Sequence, residues 1–318
     1  MIRRSSQDCK SLPNVSGQDR TGCPHKRPEP RFGAACPRDI LPRKVEKVSI
    51  LGGHRTTDMM KKTVFSALSS LRRFLRALGI AHLIIKAPLV SRMFWSAYGY
   101  LRPKDDAMVE VRDFGFRLYV DSRDTSVGCG LLMLGHYEPF ASHVFSSLLQ
   151  EGMTVVDIGA NIGYYTVLSA TRVGPSGKVF AFEPEPKHFG LLCKNLSTNG
   201  LTNVYPQQKA LLNRNGTHPF FLAAECLGRH GIYRQGDSIS QIEVATTTLD
   251  EFFSGRDEKV EVIKLDAEGA EPLIIKGMES LISGSERLAM FTEFFPPQSA
   301  GRRTFPGSLS GGPGWIWF

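Results

Sequence analysis

Val155-Val156-Asp157-Ile158-Gly159-Ala160-Asn161-Ile162-Gly163-Tyr164-Tyr165-Thr166 reads as a buried strand, a glycine turn and the start of a helix. Further on, Val179-Phe180-Ala181-Phe182-Glu183 reads as a second strand that ends in a carboxylate. Strand, glycine turn, helix and acidic strand end are how an α/β sheet builds a nucleoside pocket at the carboxyl ends of its strands. The expected fold is therefore a mostly parallel sheet with helices on both faces.

Asp157 narrows the ligand. A dinucleotide would bring its pyrophosphate to this turn, where a carboxylate repels it, and Asn161 stands where a fingerprint glycine would let the backbone approach phosphate. S-adenosylmethionine (SAM) has no phosphate and carries an ammonium and a sulfonium, so it suits the turn better than NAD. On this reading Gly159, Asn161 and Gly163 border the methionine part of SAM, and Asp157 helps to hold its ammonium. Glu183 accepts hydrogen bonds from the ribose hydroxyls, and Ala210, which ends the third strand, either borders the adenine or belongs to the core. Tyr137 and Glu138 are candidate cofactor contacts from a segment that would cover the pocket, with a helix-capping role as the alternative. Asp266 ends a fourth strand facing the same crevice and is the candidate catalytic group, able to orient an acceptor hydroxyl or take its proton. Glu268 and Glu271 suit the start of the following helix. Chelation of a divalent ion by Asp266, Glu268 and Glu293 is the third-ranked alternative, and no metal is assigned. An NAD-dependent oxidoreductase and an inactive SAM-binding remnant are the rival functions.

The chain has 318 residues, 42% of them hydrophobic, and a net charge of +8 concentrated in its first hundred residues. Residues 1–58 are polar, basic and Pro-rich without periodicity, as expected of a disordered arm. Residues 59–104 form a helical region. Within it, residues 59–80 have helical apolar spacing with Lys and Arg around it, which permits a weak contact with a membrane surface. Ala81 to Leu101 is apolar but interrupted by Lys86, Pro88 and Arg92, so it does not read as a membrane span. None of the six cysteines forms a C-x-x-C pair, and Cys129 and Cys193 read as buried free thiols, which favours the cytoplasm. No interleaved aromatic and basic motif points to nucleic acid.

A hairpin is expected over 107–120 and a helix over 138–150. Strands follow at 153–158, 178–183, 203–208, 261–265 and 287–294, with helices between them and an inserted hairpin near 218–223 and 241–247. A helix is expected over 270–282. Residues 298–318 are an irregular tail.

Several motifs in order resemble the FkbM family of SAM-dependent methyltransferases. They are Gly135-His136-Tyr137-Glu138-Pro139, Val156 to Gly163, Phe182-Glu183-Pro184, Thr248-Leu249-Asp250 and Lys264-Leu265-Asp266-Ala267-Glu268-Gly269-Ala270-Glu271, with Gly277-Met278-Glu279 and Glu293. The resemblance covers about residues 105–297. It implies a Rossmann-like class I methyltransferase sheet with an N-terminal helical and hairpin extension. It also implies SAM as cofactor and a small-molecule or glycan hydroxyl as acceptor, such as a sugar or a secondary metabolite. The family pattern would continue past the fifth strand, and residues 298–318 do not, so the C-terminal strands are expected to be incomplete.

Overall fold

The computed structural model describes residues 88–223, 227–234 and 238–292, together with 63–67, 69–70 and 74. The expectations for the 1–58 arm, for most of 59–80, for Glu293 and for the 298–318 tail lie outside these residues. The described residues all fall within the compact unit Ala34–Phe318.

Helix α1 (Pro88–Leu101) leads into an antiparallel hairpin, β1 (Ala107–Glu110) and β2 (Arg117–Val120). Helices α2 (Val127–Leu134) and α3 (Pro139–Leu148) follow. The chain then alternates through β3 (Thr154–Ile158), α4 (Tyr164–Val173), β4 (Lys178–Phe182), α5 (Pro186–Thr198) and β5 (Val204–Gln207). Next come β6 (Ala210–Leu211), β7 (Gly216–Ala223), β8 (Ser238–Thr247) and α6 (Leu249–Phe253). The described part ends with β9 (Val262–Leu265), α7 (Glu271–Lys276), α8 (Glu279–Gly284) and β10 (Ala289–Thr292).

The central sheet has the order β10-β9-β3-β4-β5, and every neighbouring pair is parallel. Its two faces follow from strand alternation. Val155, Val179, Ala181 and Val262 pack against residues of α2 to α5 and the hairpin, including Leu118, Phe145, Leu168 and Leu192. Val156, Ile158, Phe180, Phe182, Ile263 and Leu265 pack on the other side with Leu249, Ile274 and Met278 from α6, α7 and the turn before α8. Apolar residues fill both faces, as a buried parallel sheet requires. The inserted pair β7–β8 is antiparallel and forms a second, small sheet with β6.

Asn195 stitches the hairpin to the sheet layer. Its Oδ1 accepts from Tyr119 N at 2.6 Å, and its Nδ2 donates to Tyr119 O and Ile162 O at 3.1 and 2.7 Å.

Three local expectations change. The helix expected over 270–282 is two helices, and Gly277 between them passes so close to the Leu212 carbonyl that a Cβ there would overlap it. Asp250 then starts the second helix, accepting Leu281 N at 2.8 Å and Ser280 N at 3.0 Å. Helix α2 was not anticipated, since its sequence VGCGLLML is apolar throughout and shows no polar face to reveal a period. Cys129 is buried and outside any disulfide, as expected, whereas Cys193 is disulfide-bonded. No helix among the described residues is long and apolar enough to cross a membrane.

Candidate active site

A cleft opens at the carboxyl ends of β3, β4 and β9, where such sheets bind ligands. Tyr137, Gly159, Asn161, Glu183, Ala210 and Asp266 line it, as do Lys209 and Lys264. Three of the expected cofactor contacts stand back from its surface. Asp157 is wholly buried beneath it. Glu138 turns to accept the Tyr165 hydroxyl at 2.9 Å. Gly163, at φ +91°, starts α4 against Leu192, whose Cδ1 would lie 2.6 Å from an added Cβ.

The turn is held from within. Gly159 and Ala160 both donate to the Phe182 carbonyl, at 3.0 and 2.9 Å. Gly159 has φ +75°, and a Cβ on it would overlap the Asp266 carbonyl oxygen. Its glycine is thus required by the close approach of the β3 and β9 loops, a reason independent of any ligand. Asn161, at φ +52°, donates its N–H to Glu183 Oε2 at 2.8 Å, and Glu185 N donates to the other oxygen at 2.9 Å. Glu183 is therefore oriented with lone pairs left for a ligand. Burial pushes its carboxyl up to about 8, although these two N–H groups oppose the shift.

Asp157 Oδ2 accepts the Thr166 hydroxyl at 2.6 Å, while Oδ1 has no hydrogen-bond partner. Burial raises this carboxyl, with Lys264 and Thr166 pulling against it. Thr166→Val should cost about 2 kcal/mol, the worth of a hydrogen bond to a charged group, and should appear as a lower urea midpoint.

Asp266 Oδ2 accepts Lys264 Nζ at 3.1 Å, which leaves Oδ1 without a protein donor among the described residues. Glu271 Oε1 accepts Ala267 N and Gly269 N at 3.0 and 3.1 Å, so Glu271 fixes the loop beyond Asp266. Lys264 was not among the residues expected to form the site. A lysine inside the apolar strand Val262–Leu265 was the signal that could have singled it out.

His188 and His230 also line the cleft, and sequence reading missed them. Their rings stack at 5.0 Å, and burial lowers both to about 4. With Glu185 they form a group of possible metal donors within 4.8 Å of one another. Ala223 N–H, however, donates to Nδ1 of His230 at 2.9 Å. The neutral ring then carries its proton on Nε2 and has no lone pair left for an ion.

The donor set fits SAM. It combines a buried carboxylate with an unpartnered oxygen, a strand-end glutamate with lone pairs left over, and a glycine turn on the cleft wall. A parallel five-stranded sheet with this cleft defines a class I SAM-dependent methyltransferase fold, and SAM is its cofactor. Residues 157–306 match the family model described as the methyltransferase FkbM domain. The hexuronic acid methyltransferase AglP of Haloferax volcanii is 31% identical over 137 residues, which is 42% of this chain and 53% of that protein. The methyltransferase sdnD of Sordaria araneosa is 28% identical over 174 residues, covering 45% of this chain and 67% of that protein. The chain thus spans about half to two thirds of these relatives. A SAM-dependent O-methyltransferase from Thermotoga maritima superposes with a TM-score of 0.27 and 23% identity over 44% of this chain and 38% of that one. The fold assignment rests on the strand order and register given above.

Proposed function

We propose that the chain is a SAM-dependent O-methyltransferase acting on a hydroxyl of a sugar or another small molecule, with residues 105–297 as its catalytic domain. The observation that carries this reading is Asp266, a carboxylate on the cleft wall with one oxygen tethered and the other free. SAM supplies an electrophilic methyl group, so the chain's task is to place the acceptor in line with it. Asp266 accepts the hydrogen bond of the acceptor hydroxyl and takes its proton as the new C–O bond forms. Gly159, Asn161, Glu183 and Ala210 border the cofactor, Tyr137 covers it, and Asp157, Glu138 and Gly163 support it from behind. The sugar acceptor draws support from the Haloferax relative, a hexuronic acid methyltransferase.

Calorimetry with SAM, followed by transfer from labelled SAM to uronic acid glycans and hydroxylated metabolites, tests the proposal. Absence of SAM affinity would end it, and transfer confined to nitrogen or carbon acceptors would overturn the O-methyl assignment. Asp266→Asn should lower kcat about a hundredfold, the usual share of a general base, and leave the SAM Kd within about threefold. Unchanged turnover in this variant would remove Asp266 from the chemistry.

A further inference from the structure

Parallel pairing sets Phe291, Lys264, Asp157 and Ala181 side by side across β10, β9, β3 and β4. Lys264 therefore reaches into the layer between the sheet and α4, where it is almost fully buried. Its Nζ lies 3.1 Å from Asp266 Oδ2 and 4.0 Å from Asp157 Oδ1, and 5.0 Å from the centre of the Tyr165 ring. Tyr165 in turn donates to Glu138, whose charge also acts on the ammonium. One cation thus faces two carboxylates, one in the floor and one on the cleft wall.

We propose that Lys264 is a positioning residue of the cofactor and acceptor site, the shared cation that keeps Asp157 ionised under the cleft and fixes the direction of Asp266. This deepens the methyltransferase reading and rests on it. Among the described residues Asp157 has no other cation in ion-pair reach and only the Thr166 hydroxyl as a donor. Asp266 has no other side-chain tether among the described residues, so without Lys264 its carboxylate is free to rotate on the wall. Burial would lower the ammonium, but Asp266 and Asp157 raise it above the ordinary lysine range, so Lys264 stays charged. A buried pair that loses one partner leaves its other charge uncompensated, and such a group takes up or loses a proton instead.

The test uses the full chain with Lys264→Met, Lys264→Gln and Lys264→Arg. Infrared difference spectra at neutral pH, with aspartate labelled at its carboxyl carbon, report the protonation of Asp157. Calorimetry reports the SAM Kd. Lys264→Met should show a protonated carboxyl band that vanishes when Asp157→Asn is added. Its SAM Kd should rise about tenfold, and Lys264→Arg should return it to within about threefold. If Lys264→Met does not fold, Lys264→Gln carries the same readouts. A folded Met or Gln variant without the band and with unchanged SAM affinity overturns the proposal. Failure of the wild-type chain to bind SAM would count against the methyltransferase reading, while the infrared arm would still decide the role of Lys264.

Discussion

Gly159→Ala should lower stability by at least about 3 kcal/mol and abolish SAM binding. Alanine at the observed φ of +75° carries left-handed strain of about 1–2 kcal/mol. The larger part comes from the added methyl, which would overlap the Asp266 carbonyl. That obstacle is backbone, so it yields only if the loops after β3 and β9 separate. Those loops carry Asn161 on one side and Asp266 on the other, so relief of the clash takes the cleft apart. For a domain of this size the loss corresponds to a melting temperature about 6–12 °C lower. Gly200→Ala is the control, because its φ is +64° but nothing lies within 4 Å of the added Cβ. It should show the strain alone. Equal melting temperatures for the two variants would refute the steric explanation.

The same glycine shows how far sequence could lead. Strand, glycine turn and helix were legible at Val155 to Thr166 because alternation and punctuation are local properties. The ligand reading rested on Asp157 lying at the mouth of the turn. The structure instead puts its side chain beneath the cleft, on the face it shares with Val155. Its partner Lys264 lies opposite it across β3 and β9, a register set by tertiary assembly of strands far apart in sequence. The His188–His230 stack escaped for a related reason. One ring sits on α5 and the other follows a short 3₁₀ turn between β7 and β8, and only the packing of the insert brings them together. Glu183 was the easier inference, since a carboxylate at a strand end after an apolar run is visible in the chain itself.

Glu183 also yields the clearest pH dependence. SAM binding should release close to one proton near neutral pH, and affinity should rise with pH until about 8 and then level off. Burial is the foremost cause of the raised carboxyl, with the charges of Glu185 and Asp157 adding to it. Its ordinary value is 4.5, so between there and about 8 the folded chain holds a proton that the unfolded chain has lost. Protons bound in the native state exceed those in the unfolded state, so this group's contribution to stability falls as pH rises through that window. Ribose hydroxyls donate to the ionised carboxylate, so on the proposed reading cofactor binding favours deprotonation and gains up to about tenfold per pH unit below the raised value. Calorimetry in two buffers of different ionisation enthalpy counts the released proton. Glu183→Gln should bind SAM about tenfold to a hundredfold more weakly at the upper plateau, the worth of a hydrogen bond to a charged group, with proton release lost. A wild-type protein that binds SAM without releasing a proton at any pH between the two values would separate Glu183 from the ribose. The carboxylate would then belong to the turn alone, held by Asn161 and Glu185, and the cofactor would have to be gripped by the Tyr137 and Ala210 sides of the cleft.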